Sequence, residues 1–224
     1  MKLEGINFNY FADKLRCEVA KGLPGFSAQK SMSPSIREDL LGNNKPNSTT
    51  RQSAVLVPLF PCENKIHLLF IKRPQYEGVH SGQVGFPGGK VEEIDSSIEQ
   101  TALRETYEEV GICPNEINIL GTLTPLYIPI SNTIVTPVVG AIDKITCLHP
   151  NLQEVDYIFS VPLADLLNPQ NKSVKVISSH GRPITAPYYN VSNEMIWGAT
   201  AMMLAEFLEI TKPIATVLYA KKAQ

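Results

Sequence analysis

Residues 85–112 constrain this chain more than any other stretch. They read Gly85-Phe86-Pro87-Gly88-Gly89-Lys90, then Val91-Glu92-Glu93-Ile94-Asp95, then a run ending Leu103-Arg104-Glu105-Thr106-Tyr107-Glu108-Glu109-Val110-Gly111-Ile112. Pro87, Gly88 and Gly89 punctuate a loop. The run that follows carries helix start and stop signals. Ser96 with Glu99 fits a capping box, Asp95 suits a helix N-terminus, Gly111 is a natural C-terminal cap and Pro114 blocks continuation. Helical spacing gathers Leu103, Thr106, Tyr107 and Val110 on one face. It gathers Glu105, Glu108 and Glu109 on roughly the opposite face, with Arg104 four residues before Glu108.

Acidic residues at helical spacing are commonly a solvated face. Next to a glycine loop they acquire a second meaning. Clustered carboxylates repel one another, and a divalent cation relieves that repulsion. Oxygen-only ligands favour a hard ion, Mg²⁺ or Mn²⁺. The loop adds backbone carbonyls and amides beside the acids, as a metal-bound phosphate requires.

The segment from Gly89 to Ile112 resembles the Nudix box. The family's box runs from a glycine through a glutamate to Arg-Glu-U-x-Glu-Glu-x-Gly-U, where U is a bulky aliphatic residue. Here Arg104, Glu105, Glu108, Glu109, Gly111 and Ile112 match. The chain departs from the box in three ways. The spacing from Gly89 to Arg104 is one residue longer, Asp95 stands where the first glutamate belongs, and Thr106 replaces an aliphatic residue. The longer spacing resembles the coenzyme A pyrophosphatase branch, as do His80-Ser81-Gly82-Gln83-Val84-Gly85-Phe86-Pro87-Gly88-Gly89 and Trp197-Gly198-Ala199-Thr200-Ala201. Weaker similarity covers roughly residues 24–210. The basic segment of that branch is altered: Leu68-Leu69-Phe70-Ile71-Lys72-Arg73-Pro74 leads to Gly78, where an arginine is expected.

The resemblance implies an α/β fold, a Nudix-type α/β/α sandwich with a mixed β-sheet. It implies hydrolysis of a phosphoanhydride in a nucleoside diphosphate linked to another moiety, with Mg²⁺ or Mn²⁺ as cofactor. Glu105, Glu108, Glu109 and the Gly89 carbonyl are the expected metal ligands. Glu105 is the expected group at the attacking water, and Arg104 positions a carboxylate. Coenzyme A or an acyl derivative, cleaved to adenosine 3′,5′-bisphosphate and 4′-phosphopantetheine, is the leading substrate. ADP-ribose or a nucleotide sugar is the alternative. A nucleotide-binding module without activity is an alternative of another class, but such modules often lose box carboxylates, and all three are present here.

Candidate substrate contacts lie around the box. Lys72 and Arg73 leave a strand shortly before the glycine loop, either as a solvated strand end or as phosphate contacts. Gln83 lies within the loop approach. His80 is an ordinary loop histidine, a hydrogen-bond partner of the loop, or a substrate contact; the second is favoured. Glu154 is a surface acid or a remote carboxylate that completes the metal site.

The remaining elements follow from periodicity. Phe8, Phe11, Ala12, Leu15, Val19 and Leu23 predict an amphipathic helix over 7–21. An irregular stretch to 47 follows, with a short helix at 36–41. Residues 1–50 thus form an extension packing on a Nudix domain at 51–224. The runs 54–60 and 66–71 predict strands joined by a hairpin at Cys62-Glu63-Asn64-Lys65, the first run buried on both faces. Strands are also expected at 117–130, 133–142 and 155–161, a short helix at 162–167, and a hairpin of 174–178 with 184–191. A helix is expected at 194–210, buried through Ile196, Ala199, Met203, Phe207 and Ile210, with Trp197 in the core. Pro213 ends it, and a strand follows at 214–219.

Composition narrows the partners. The net charge is −2, without a basic block, which argues against nucleic acid. No apolar run approaches a membrane span, and Met1–Lys21 lacks a signal-peptide pattern. Cys17, Cys62, Cys113 and Cys147 are scattered, which points to the reducing cytoplasm. A homodimer is left open by the extension.

Overall fold

The computed structural model of this chain describes residues 7–43, 45–75, 81–179 and 182–220. Three helices come first: α1 (Phe8–Lys21), α2 (Phe26–Gln29) and α3 (Arg37–Asn43). The Asn7 side chain caps α1 by accepting from the Tyr10 amide at 3.1 Å. Phe11 and Leu15 are fully buried in the main core, and Val19 packs against it, whereas Leu23 lies past the helix and is exposed.

β1 (Arg51–Cys62) and β2 (Lys65–Lys72) form the expected hairpin. Glu63 and Asn64 both take positive φ, 49° and 60°, matching a two-residue turn with the twist of its strands. Then come β3 (Val84–Gly85), β4 (Gly88–Lys90), α4 (Ile98–Val110), β5 (Ile117–Thr122), β6 (Leu126–Ile128), β7 (Thr133–Ile142), β8 (Tyr157–Pro162) and α5 (Leu163–Leu167). The central sheet runs β3-β2-β1-β7-β5, with β4 on β1, β6 on β7 and β8 on β2. β1 and β7 are parallel and the other pairs antiparallel, so the sheet is mixed.

Strand alternation explains the apolar runs. In β1, Val57 and Leu59 face one core while Ala54, Leu56 and Phe60 face another. In β2, Ile66, Leu68 and Phe70 face the first, and Leu69 and Ile71 the second. Both faces are therefore covered, which makes an α/β/α sandwich. Residues of α1, α5 and the C-terminal helix fill one side; α4 fills the other.

The end of the chain corrects the sequence reading. β9 (Lys172–Ser179), β10 (Arg182–Val191) and β11 (Glu194–Trp197) form a separate antiparallel sheet. Residues 194–197 are thus a strand, and α6 (Gly198–Ala220) starts later than expected. Ser192 and Asn193, at φ 51° and 61°, turn the chain so that Glu194 pairs with Val191. Gly198 then takes φ 64°, which separates strand from helix. Trp197 is half-buried and lines a cavity instead of filling the core. Pro213 lies inside α6, and residues 214–219, expected as a strand, continue the helix. Proline removes one helical hydrogen bond, but Ile214 and Ala215 beyond it are buried, and their packing carries the helix onward.

Two shorter corrections concern strand limits. The 117–130 stretch breaks into β5, β6 and a 3₁₀ turn at Pro129–Ser131, and β8 begins at Tyr157, because the Glu154 and Val155 amides close a turn on the Asn151 carbonyl.

The extension is bolted to α6 through one buried acid. Glu206 is fully buried and accepts from the Gly25 amide (3.1 Å), Gln29 Nε2 (2.8 Å) and Thr124 Oγ1 (2.6 Å). No helix among the described residues is long and apolar enough to cross a membrane.

Candidate active site

The glycine loop is held where no side chain fits. Gly88 has φ 151°, and a Cβ there would lie 2.3 Å from the Ala54 carbonyl oxygen and 2.5 Å from Val55 Cα. A Cβ on Gly89 would lie 2.3–2.4 Å from the carboxyl group of Glu105. β4 pairs with β1 through Ser53–Lys90, Ala54–Gly89 and Val55–Gly88. The Leu56 amide donates to the Pro87 carbonyl at 2.8 Å. The loop is thus fixed on one side by the sheet and on the other by α4.

The start of α4 differs from the expected capping box. Ser97, not Ser96, is the N-cap, accepting from the Gln100 amide at 3.3 Å. Asp95 is drawn away to another task. Its carboxylate accepts from Arg104 Nε and Nη2, both at 2.9 Å, from Thr101 Oγ1 at 2.9 Å and from the Glu92 amide at 2.9 Å. The Arg104 guanidinium therefore holds the Asp95 carboxyl well below the usual carboxylate range. The helix ends as expected, with Gly111 left-handed at φ 81°.

Burial on α4 also departs from the simple two-face picture. Tyr107, expected on the apolar face, is 53% exposed. Glu109, expected on the acidic face, is 1% exposed. The α4 face against the sheet is made by Ala102, Leu103, Thr106 and Val110. Thr106 tolerates this position because its hydroxyl donates to the Ala102 carbonyl at 2.6 Å.

The three carboxylates have three environments. Glu109 Oε2 accepts from the Gly88 amide at 2.8 Å, and its other oxygen lies 3.7 Å from Arg73 Nη1. Burial pushes its carboxyl up to about 7, against the lowering effects of Arg73 and the Gly88 amide, and Glu105 and Glu154 add repulsion. Glu105, mostly covered by the loop, accepts from Arg104 Nη1 at 3.1 Å. Its pKa is also raised, by burial first, with repulsion from Glu108 and Glu154. Glu108 is half-exposed and accepts from the same Arg104 nitrogen at 3.1 Å. Arg104 Nη2 reaches the Lys90 carbonyl at 2.9 Å, tying the loop to the helix.

The three acids do not converge on one point as their spacing predicts. Among the described residues, no three acidic, histidine or cysteine side chains are gathered closely enough to share one ion. Arg104 draws Glu105 and Glu108 aside, while Glu109 turns to the Gly88 amide. The donor chemistry still fits a hard divalent cation. Every ligand atom on offer is oxygen, Glu105 and Glu109 repel each other, and a cation between them would offset that repulsion.

The remaining candidates divide. A cavity of about 280 Å³ opens on the α6 side of the loop, lined by Arg73, Gln83, Gly88, Gly89, Ala199 and Thr200 among others. The loop is the partition between this cavity and the carboxylates. Arg73 touches both sides, with Nη2 3.4 Å from the Gly88 carbonyl and Nη1 near Glu109. Lys72 is turned elsewhere: its ammonium pairs with Glu194 at 2.7 Å, and the Tyr157 hydroxyl donates to the same carboxylate. Glu154 is exposed on the turn before β8, yet close enough to repel Glu105 and Glu109. His80 and Gly78 lie outside the described residues. Sequence reasoning gave Asp95 no role towards Arg104. Its place in the box, where a glutamate belongs, was the available signal.

The model of the NUDIX domain matches residues 50–175. The chain is 36% identical over 163 residues to the uncharacterized Nudix hydrolase NudL of Photorhabdus laumondii, covering 73% of this chain and 86% of that one. It is 36% identical over 165 residues to the human mitochondrial coenzyme A diphosphatase NUDT8, covering 72% and 70%. The mouse peroxisomal coenzyme A diphosphatase NUDT7 is 37% identical over 147 residues, 66% of this chain and 62% of that one. In fold, the chain is similar to the Nudix hydrolase RenU of M. smegmatis, with a TM-score of 0.50 and 14% identity over 75% of this chain and 88% of that one. The chain belongs to the Nudix hydrolase family and is a pyrophosphohydrolase.

Proposed function

We propose that this chain cleaves the diphosphate of coenzyme A or an acyl-coenzyme A, giving adenosine 3′,5′-bisphosphate and a 4′-phosphopantetheine product, in an Mg²⁺- or Mn²⁺-dependent reaction. One observation carries the reading. Two carboxylates, the buried Glu109 and the mostly covered Glu105, lie directly against a glycine loop that opens on its other side to a cavity reached by Arg73. The similarity to NUDT8 and NUDT7, named as coenzyme A diphosphatases, supports this substrate over ADP-ribose.

In this reading Glu105, Glu108, Glu109 and the Gly89 carbonyl would hold the metal. The bound ion would lower the pKa of a water and neutralise phosphoryl charge. Glu105 would accept the proton of the attacking water, from its place directly beneath Gly89. Arg73 neutralises diphosphate charge across the loop, and Gln83 lines the way in. Arg104 holds Glu105 and Glu108 in place and is itself held by Asp95. Glu154 adds negative charge beside the acids and strengthens cation binding. Residues 1–50 are an extension that packs on a domain spanning 51–224, with Gly25 and Gln29 held by Glu206 of α6. The four cysteines are all free, as in a reducing compartment such as the cytoplasm.

The test is a substrate panel. Purified protein with Mg²⁺ or Mn²⁺ is given coenzyme A, acetyl-coenzyme A, ADP-ribose, NADH and diadenosine polyphosphates. Preferred turnover of the coenzyme A compounds is expected. Preference for ADP-ribose would remove the substrate assignment, and turnover of none would favour a binding module.

A further inference from the structure

A second cavity, about 490 Å³, adjoins the first and shares Gln83, Ile128 and Ala199 with it. That volume is in the range of small-molecule sites. Its walls are mainly apolar, from Ile36, Leu40, Ile184, Met202 and the half-buried Trp197. Among the described residues one charged side chain lines it, Arg37 of α3.

Arg37 is placed as structural arginines are not. It is only 8% exposed. Its Nη2 donates to the Tyr127 carbonyl at 2.6 Å, and its Nε is buried with no hydrogen-bond partner among the described residues. No carboxylate among the described residues pairs with it; its neighbour Glu38 points to the surface and pairs with Lys30. Burying a guanidinium is strongly unfavourable unless an anion compensates it, and arginine is almost never fully buried unpaired. Nor does it neutralise by losing its proton. A lone guanidinium with donors to spare, on the wall of a ligand-sized cavity, is a site for an anion that arrives with the ligand. Its fork matches the oxygens of a phosphomonoester.

We propose that Arg37 binds a second, uncleaved phosphate of the substrate, a phosphomonoester on the nucleoside, while the diphosphate lies at the glycine loop. The inference rests on the coenzyme A reading and sharpens it, because coenzyme A carries a 3′-phosphate that ADP-ribose lacks. Gln83 and Ala199, common to both cavities, mark the passage between the two phosphate positions. Ile184 and Trp197 supply apolar surface for the base between them.

Coenzyme A is compared with 3′-dephospho-coenzyme A in the wild type, Arg37→Gln and Arg37→Lys. The wild type should prefer coenzyme A in kcat/KM by about 10- to 100-fold, the scale of a charge-assisted hydrogen bond. Arg37→Gln should bring that ratio close to one, mainly through KM, and Arg37→Lys should keep part of it. A wild-type ratio near one, or an Arg37→Gln variant that lowers both substrates equally, would overturn the proposal. If Arg37→Gln does not fold, Arg37→Lys decides, since a ratio equal to the wild type would refute the contact. Calorimetry of metal-free protein with adenosine 3′,5′-bisphosphate and with 5′-AMP separates the subsite from the hydrolase reading. If neither coenzyme A compound is turned over, a bisphosphate preference reduced in Arg37→Lys and lost in Arg37→Gln still supports the subsite, and equal binding of the two nucleotides by the wild type refutes it.

Discussion

Asp95 grips Arg104 with both carboxylate oxygens, at 2.9 Å to Nε and 2.9 Å to Nη2. This pair fixes the one guanidinium that touches Glu105, Glu108 and the Lys90 carbonyl. Asp95→Asn should therefore loosen two carboxylates it never contacts. A fall of about 10-fold in kcat is expected, with less change in KM, since lost positioning of this kind costs about 1–2 kcal/mol. Steady-state kinetics at saturating Mg²⁺ checks it; an unchanged kcat would remove Asp95 from the site's support.

The same pair gives a direction to acid stability. Asp95 titrates below its unfolded value because of Arg104. Its contribution is present above an unfolded pKa of about 3.9 and is lost as pH falls through the lower folded value. Denaturation of the wild type should therefore steepen below about pH 4. The Asp95→Asn variant should lose less stability over that window, measured by urea melts at each pH.

Glu109 is a nearly buried acid whose charge nothing neutralises fully. Replacing it with Gln keeps an acceptor for the Gly88 amide and removes that charge. Glu109→Gln should lower turnover by at least about 100-fold, the scale of losing a group that stabilises transition-state charge. Its metal-free melting temperature should match or exceed the wild type's, while added Mg²⁺ should raise the wild type's more. Calorimetric melts with and without Mg²⁺ separate lost chemistry from lost fold.

Much of this was legible in the chain, for identifiable reasons. Gly111 and the Glu105–Glu109 pattern mark the end of α4 because a left-handed cap and helical spacing are local properties. β1 and β2 read correctly because burial on both faces leaves a continuous apolar run. The misses needed tertiary information. Ser97 rather than Ser96 caps α4, and Asp95 is committed to Arg104, a contact that spacing alone does not show. Residues 194–197 have helical periodicity, but the Ser192-Asn193 turn pairs them with β10. Pro213 is overridden by the burial of Ile214 and Ala215. Arg37 was invisible as a candidate because isolation from counter-charge is a property of packing, which spacing does not encode.

The two glycines of the loop should fail in different ways when replaced by alanine. At Gly88 the new Cβ would meet backbone, the Ala54 carbonyl oxygen at 2.3 Å and Val55 Cα at 2.5 Å, and φ is 151°. Nothing there can yield without moving β1, so Gly88→Ala should cost stability, about 2–4 kcal/mol by the usual range for such backbone conflicts. At Gly89 the three atoms nearest the Cβ all belong to the Glu105 carboxyl group, at 2.3–2.4 Å. That group can swing aside, so Gly89→Ala should fold with a loss of less than about 1 kcal/mol. Its turnover should drop steeply, because the displaced group is the carboxylate proposed to take the water's proton. Chemical denaturation paired with kcat measures both. An active Gly89→Ala variant would argue that Glu105 does not act from beneath the loop.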